Sequence, residues 1–83
     1  MTEPDRLILQ AIVKVGERAT ASKVCDQLVK PPPIAGMFSA LEGIRAEGLL
    51  TSRLTRHRMV YSITVKGINA LAAANRAAAK EHA

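Results

Sequence analysis

Aromatic side chains are nearly absent from this chain of 83 residues: Phe38 and Tyr61 are the only two, and there is no tryptophan. A core must therefore be assembled from Leu, Ile, Val, Met and Ala, the diet of a small helical domain. Cys25 is the single cysteine, which excludes an internal disulfide framework and fits a reducing compartment. His57 and His82 are the only histidines, and no clustered carboxylates join them, so no metal set can be assembled. No nucleophile–base arrangement, phosphate-binding loop or dinucleotide motif is present, so the reading is non-enzymatic and calls for no cofactor. No apolar run has the length of a membrane span. Met1-Thr2-Glu3-Pro4-Asp5-Arg6 has neither the basic start nor the apolar stretch of a secretory signal, which predicts a cytoplasmic protein without a membrane partner.

Acidic residues run out along the chain. Residues 1–50 hold six bases and six acids, whereas residues 51–83 hold six bases against Glu81 alone. The whole surplus of +5 thus sits in the last third, the charge distribution expected of a protein with a polyanionic partner. A solvated surface that serves only solubility would give the same count.

What is present reads as helix, helix, break, helix, hairpin, helix, all in one domain spanning residues 1–83. Pro4 and Asp5 open a first helix over about residues 5–15, which Gly16 ends. Leu7, Ile8, Ala11, Ile12 and Val15 form its core face, while Leu9 and Val13 are apolar beyond what that face needs. Thr20 or Ser22 caps a second helix over about residues 21–29, with Ala21, Val24, Cys25 and Leu28 inward. Pro31-Pro32-Pro33 then breaks the chain. A third helix over about residues 33–47 turns Met37, Phe38, Leu41 and Ile44 inward. Its opposite face is small: Ala35, Gly36, Ser39, Ala40 and Gly43. Residues 49–64 become β-branched and alternating, with strands Leu49–Thr55 and Met59–Thr64 and Met59, Tyr61 and Ile63 on one face. The link Arg56-His57-Arg58 contains no Gly or Asn and assigns no turn type. Thr64 caps a final Ala-rich helix over about residues 65–81, on which Ile68, Leu71, Ala72, Asn75 and Ala79 share a face.

That order is the plan of a winged helix-turn-helix. Phe38-Ser39-Ala40-Leu41-Glu42-Gly43-Ile44-Arg45-Ala46-Glu47-Gly48-Leu49-Leu50 resembles the recognition helix and first wing strand of that superfamily. Tyr61-Ser62-Ile63-Thr64-Val65-Lys66-Gly67 is similar to the end of the second wing strand and the next helix in the PadR-like and MarR-like families. There the segment runs aromatic or aliphatic, any residue, Leu, Thr, two residues, Gly; the aromatic pair is closer to the PadR-like type. The chain departs from that pattern in the three prolines, and in a third helix without an outward Arg, Lys, Asn or Gln in its first turns. The resemblance covers roughly residues 5–80. It implies a mainly helical fold with a small hairpin, a double-stranded-DNA-binding transcriptional regulator, and a homodimer.

The residues then divide into candidate contacts. Arg53, Arg56, His57 and Arg58 lie at the wing and can reach phosphates or the minor groove. On the third helix, Ser39, Gly36 and Gly43 let the backbone lie close to the major groove, Ser39 can meet a base edge or phosphate, and Ala35 or Ala40 can touch a thymine methyl. Ser22, Lys23 and Lys30 flank the turn as phosphate contacts. A homodimer through the first and last helices would use Leu9, Val13, Leu71, Asn75 and Ala79. Asn75 either pairs with its symmetry mate or is simply exposed. Two rival readings remain: a protein-interaction module that docks through the small face of the third helix, and a nucleoid-type protein with little sequence preference.

Overall fold

The computed structural model of the chain describes residues 2–16 and 18–81, with side chains described through residue 79. His82 therefore lies outside the described residues. Thr2 caps the first helix, ahead of Pro4 and Asp5: its hydroxyl accepts from the Asp5 amide at 3.4 Å, and α1 runs Glu3–Val15 with Pro4 in its first turn. Gly16 ends it at φ 93°, in a region that disfavours any side chain. Thr20 caps α2 (Ala21–Gln27) by accepting from the Lys23 amide at 3.3 Å. This helix stops two residues short of the expected Val29, because Leu28 is already extended on the approach to the prolines. Pro33 leads into α3 (Ile34–Ala46), and Gly48 at φ 81° turns the chain out of it.

Strands β1 (Leu50–Thr55) and β2 (Arg58–Ile63) pair antiparallel, Leu50 opposite Ile63 and Thr55 opposite Arg58. The last helix, α4, runs Val65–Glu81. Four helices and a two-stranded hairpin in this order make a mainly helical, winged helix-turn-helix fold. The hairpin gains one further rung that the sequence did not announce. Ala19, between α1 and α2, bridges Tyr61 on the free edge of β2, whose amide donates to the Ala19 carbonyl at 2.8 Å.

The core is aliphatic around one ring. Tyr61, Leu9, Ile12, Met37, Leu41, Ile44, Leu50 and Val24 are essentially inaccessible. Two expectations about side chains need correction. Leu9 is 0% exposed whereas Leu7 is 42% exposed, so the buried arc of α1 is rotated toward Leu9. The cause is that α1 packs against four elements, α2, α3, β2 and α4, more than one narrow face can serve. Phe38 is 44% exposed, so it does not join the core that its spacing predicted. Met37, Leu41 and Ile44 already fill the inward side of α3.

The start of α4 is clamped to the end of α3. Thr64 accepts from the Gly67 amide at 3.0 Å and donates its hydroxyl to the Gly48 carbonyl at 2.8 Å. The Lys66 ammonium donates to the Glu47 carbonyl at 2.8 Å, a favourable place for a cation at a helix C-terminus. Gly67 is required by contact: a Cβ there would lie 2.2 Å from the Leu49 carbonyl oxygen. The Thr-x-x-Gly pattern is thus a junction that sets the wing against the last helix.

Candidate nucleic-acid interface

The wing presents its two faces differently. Leu50, Tyr61 and Ile63 turn toward the core, so the alternating positions Arg53, Arg58 and Val60 lie on the opposite, outer face. Arg53 stands opposite Val60 in the ladder, and Arg58 stands opposite Thr55 at the tip. A two-residue turn, Arg56-His57, joins the strands. Arg56 adopts φ 48°, the left-handed conformation that glycine or asparagine ordinarily takes at such turns. Sequence alone gave no turn type because no residue there prefers that conformation; the strand register imposes it.

These side chains, with Arg18, Thr55 and Val60, line a hollow of about 570 Å³. Arg18 comes from the segment between α1 and α2, and the Ala19–Tyr61 bridge carries it to the wing. Sequence reading missed it, since a one-residue bridge leaves no periodic signal and Arg18 sits in the charge-balanced half of the chain. Arg18, Arg53, Arg56, His57 and Arg58 are all exposed, and no described acidic residue lines the hollow. None of the four arginines makes an ion pair among the described residues. Lys66, by contrast, is committed to the end of α3. Of the six bases after residue 50, Arg53, Arg56 and Arg58 thus lie together at the wing.

Ala35, Gly36, Ser39 and Gly43 are all exposed along α3, as a groove-facing helix would have them. Ile34 and Phe38 are exposed on the same helix, at 52% and 44%. Further along, Arg45 donates to Glu42 at 2.6 Å. This hydrogen bond holds the Glu42 carboxyl below its ordinary pKa and the Arg45 guanidinium above its own. Burial raises the Tyr61 phenol, and the nearby Glu42 charge adds to the rise. Ser22, Lys23 and Lys30 are exposed on α2 and the turn after it, away from the wing hollow.

The residues expected at a dimer surface separate into two sets. Leu9 and Leu71 are buried in the chain's own core, which corrects their assignment to an outer surface. Asn75 accepts from Arg6 at 2.9 Å and so ties α4 to α1 within the chain. Val13 and Ala79 are exposed. Among the described residues, no group of His, Cys, Asp or Glu is placed to hold a metal ion, and no helix is long and apolar enough to cross a membrane.

No protein-family model matches the chain, and no curated protein matches it. Among solved structures, the chain is similar to the crystal structure of SSV1 F-93, with a TM-score of 0.63 and 21% identity over 99% of this chain and 91% of that one. At that identity the likeness shows the fold alone: one course of helices and hairpin, shared almost end to end.

Proposed function

We propose that the chain is a double-stranded-DNA-binding transcriptional regulator, PadR-like or MarR-like in kind, that occupies an operator as a homodimer. The observation that carries this reading is the convergence of Arg18, Arg53, Arg56, His57 and Arg58 on one hollow without a described acid. Guanidinium groups match phosphate oxygens with paired hydrogen bonds, and a projecting hairpin can follow a duplex backbone. Alongside it, α3 presents Ala35, Gly36, Ser39 and Gly43 to the major groove, while Ser22, Lys23 and Lys30 take further phosphates. A helix face this small discriminates bases less than an Arg or Gln reader, so backbone and groove shape carry much of the recognition. The protein would act without cofactor or catalysis.

The test is duplex affinity as a function of salt. Arg56→Ala with Arg58→Ala is expected to weaken binding to every sequence and to flatten the log–log salt slope by ~0.9 for each phosphate no longer neutralised. Parent-like affinity in this double variant at all salt concentrations would remove the wing from the interface. Sequence selection from a random duplex pool then separates an operator-specific protein from a nucleoid-type binder. In a dimer the two selected half-sites should lie ~10 bp or a multiple apart.

A protein-interaction module is the second reading. It is favoured by an apolar groove of about 760 Å³ between α1 and the turn before α3, lined by Leu7, Leu28, Val29 and Pro32 among others. Parent protein that binds duplex weakly and without salt dependence would make this reading the first.

A further inference from the structure

We infer that the outer face of the hairpin is a phosphate-binding hollow completed by Arg18, which holds backbone phosphates flanking the part of the duplex that α3 meets. The source of the phosphate rests on the DNA-binding reading; the chemistry of the hollow does not.

Three arginines from separate stretches of chain meet there: Arg18 before α2, Arg53 on β1 and Arg58 on β2. Val60 lies among them on the outer face, yet it is only 8% exposed and is not part of the main core cluster. Arginine stems can cover such an apolar residue while their charged ends stay in water. Guanidinium forks gathered in one hollow can offer paired, charge-assisted hydrogen bonds to an anion. With no described acid in the lining, the hollow's chemistry selects a phosphate mono- or diester over a cation or a neutral ligand.

Arg18 also differs from the other wing arginines in what holds it. Its backbone is fixed by the Ala19–Tyr61 bridge, and Tyr61 is fully buried. A phosphate gripped by Arg18 and Arg53 therefore couples the duplex to the core, whereas Arg56 acts from the free tip. The hollow lies on the outer face of the sheet, opposite the face that Tyr61 and Ile63 turn to the core.

The experiment compares parent, Arg18→Ala, Arg18→Lys and Arg76→Ala by duplex anisotropy across a salt series. Arg76 is an exposed base on α4 outside the hollow, and its removal controls for net charge. Arg18→Ala is expected to lose affinity on the order of tenfold and to lower the slope by ~0.9. Arg18→Lys should keep the slope while losing part of the affinity, because an ammonium lacks the planar fork. Arg76→Ala should leave both near the parent's. Parent-like amide resonances for Ala19 and Tyr61 in Arg18→Ala would show the fold intact.

If the parent binds duplex and Arg18→Ala matches Arg76→Ala in both quantities, the hollow is overturned while the DNA reading stands. If the parent shows no salt-dependent duplex binding, the DNA reading falls, and inorganic pyrophosphate then judges the hollow alone. Amide shifts clustered at Arg18, Arg53 and Arg58, and abolished in Arg18→Ala, support a phosphate site for a different ligand. Absence of that cluster overturns it.

Discussion

Arg56 and Gly67 show opposite uses of a single position. Arg56 holds φ 48° at the wing tip, a conformation that costs a residue with a Cβ about 1 kcal/mol. Arg56→Gly should therefore leave thermal stability unchanged or slightly raised, while duplex affinity falls. A variant that loses stability in step with affinity would contradict the assignment of Arg56 to binding. Gly67 is confined by its neighbours: an added Cβ would sit 2.2 Å from the Leu49 carbonyl oxygen and 2.8 Å from the Ile63 Cγ1. Gly67→Ala is expected to destabilise by about 1–3 kcal/mol, read as a lower denaturant midpoint at an unchanged slope. Tyr61 supplies a pH prediction. Burial raises its pKa above the ordinary value of 10.0. The neutral phenol is then favoured in the folded state, so this contribution is complete below pH about 10 and is lost as pH rises through the folded pKa. Thermal unfolding followed through the alkaline range should show the loss, and Tyr61→Phe should lack that component.

Among the elements, α3 and α4 are the pair whose junction matters most. Thr64 caps α4 and in the same place satisfies the Gly48 carbonyl beyond α3, so its hydroxyl serves two elements at once. Thr64→Ala should cost about 1 kcal/mol through the cap, with the Gly48 hydrogen bond adding to it. In a domain this small that corresponds to a midpoint about 4–8 °C lower. Thr20→Ala removes only the α2 cap and should cost less; equal losses would show that the bond to Gly48 contributes nothing. The turn between α2 and α3 is set differently. Three prolines fix it without a side-chain cap on α3, which starts from Pro33 alone.

At the scale of the whole molecule, the α1–α4 seam is where a second copy would pack. Val13 and Ile68 remain 52% and 50% exposed around it. A hollow of about 500 Å³ lies along the seam, lined by Val13, Ile68, Leu71 and Asn75 among others. A thin single core gains from covering such a surface. The homodimer proposal is accordingly carried by Val13, Ile68 and the exposed Ala79 rather than by Leu9 or Leu71. Light scattering at micromolar concentration should give twice the chain mass, and Val13→Lys with Ile68→Lys should return the monomer. A parent that is monomeric both free and on DNA would remove the dimer from the proposal.

Composition and local pattern were sufficient for the order of elements. Helix-breaking prolines, the terminating Gly16 and Gly48, the capping Thr64 and the alternating run through Tyr61 act within a few residues of themselves, so they can be read without a fold. The acid-free stretch around Arg56 likewise marked the wing. Other features depended on which segments meet. Leu9 rather than Leu7 is buried because four elements pack against α1, and a single helical period cannot distinguish one packing partner from several. Phe38 is left at the surface because Met37, Leu41 and Ile44 already fill the space it was expected to share. Arg18 reaches the wing through one bridge to a strand about forty residues later. The elements and the sign of the charge they carry follow from propensity, capping and composition, which act within a few residues and need no fold to be read. Tertiary structure alone decided which apolar faces are buried and which arginines share a hollow, because both depend on contacts between segments distant in the chain.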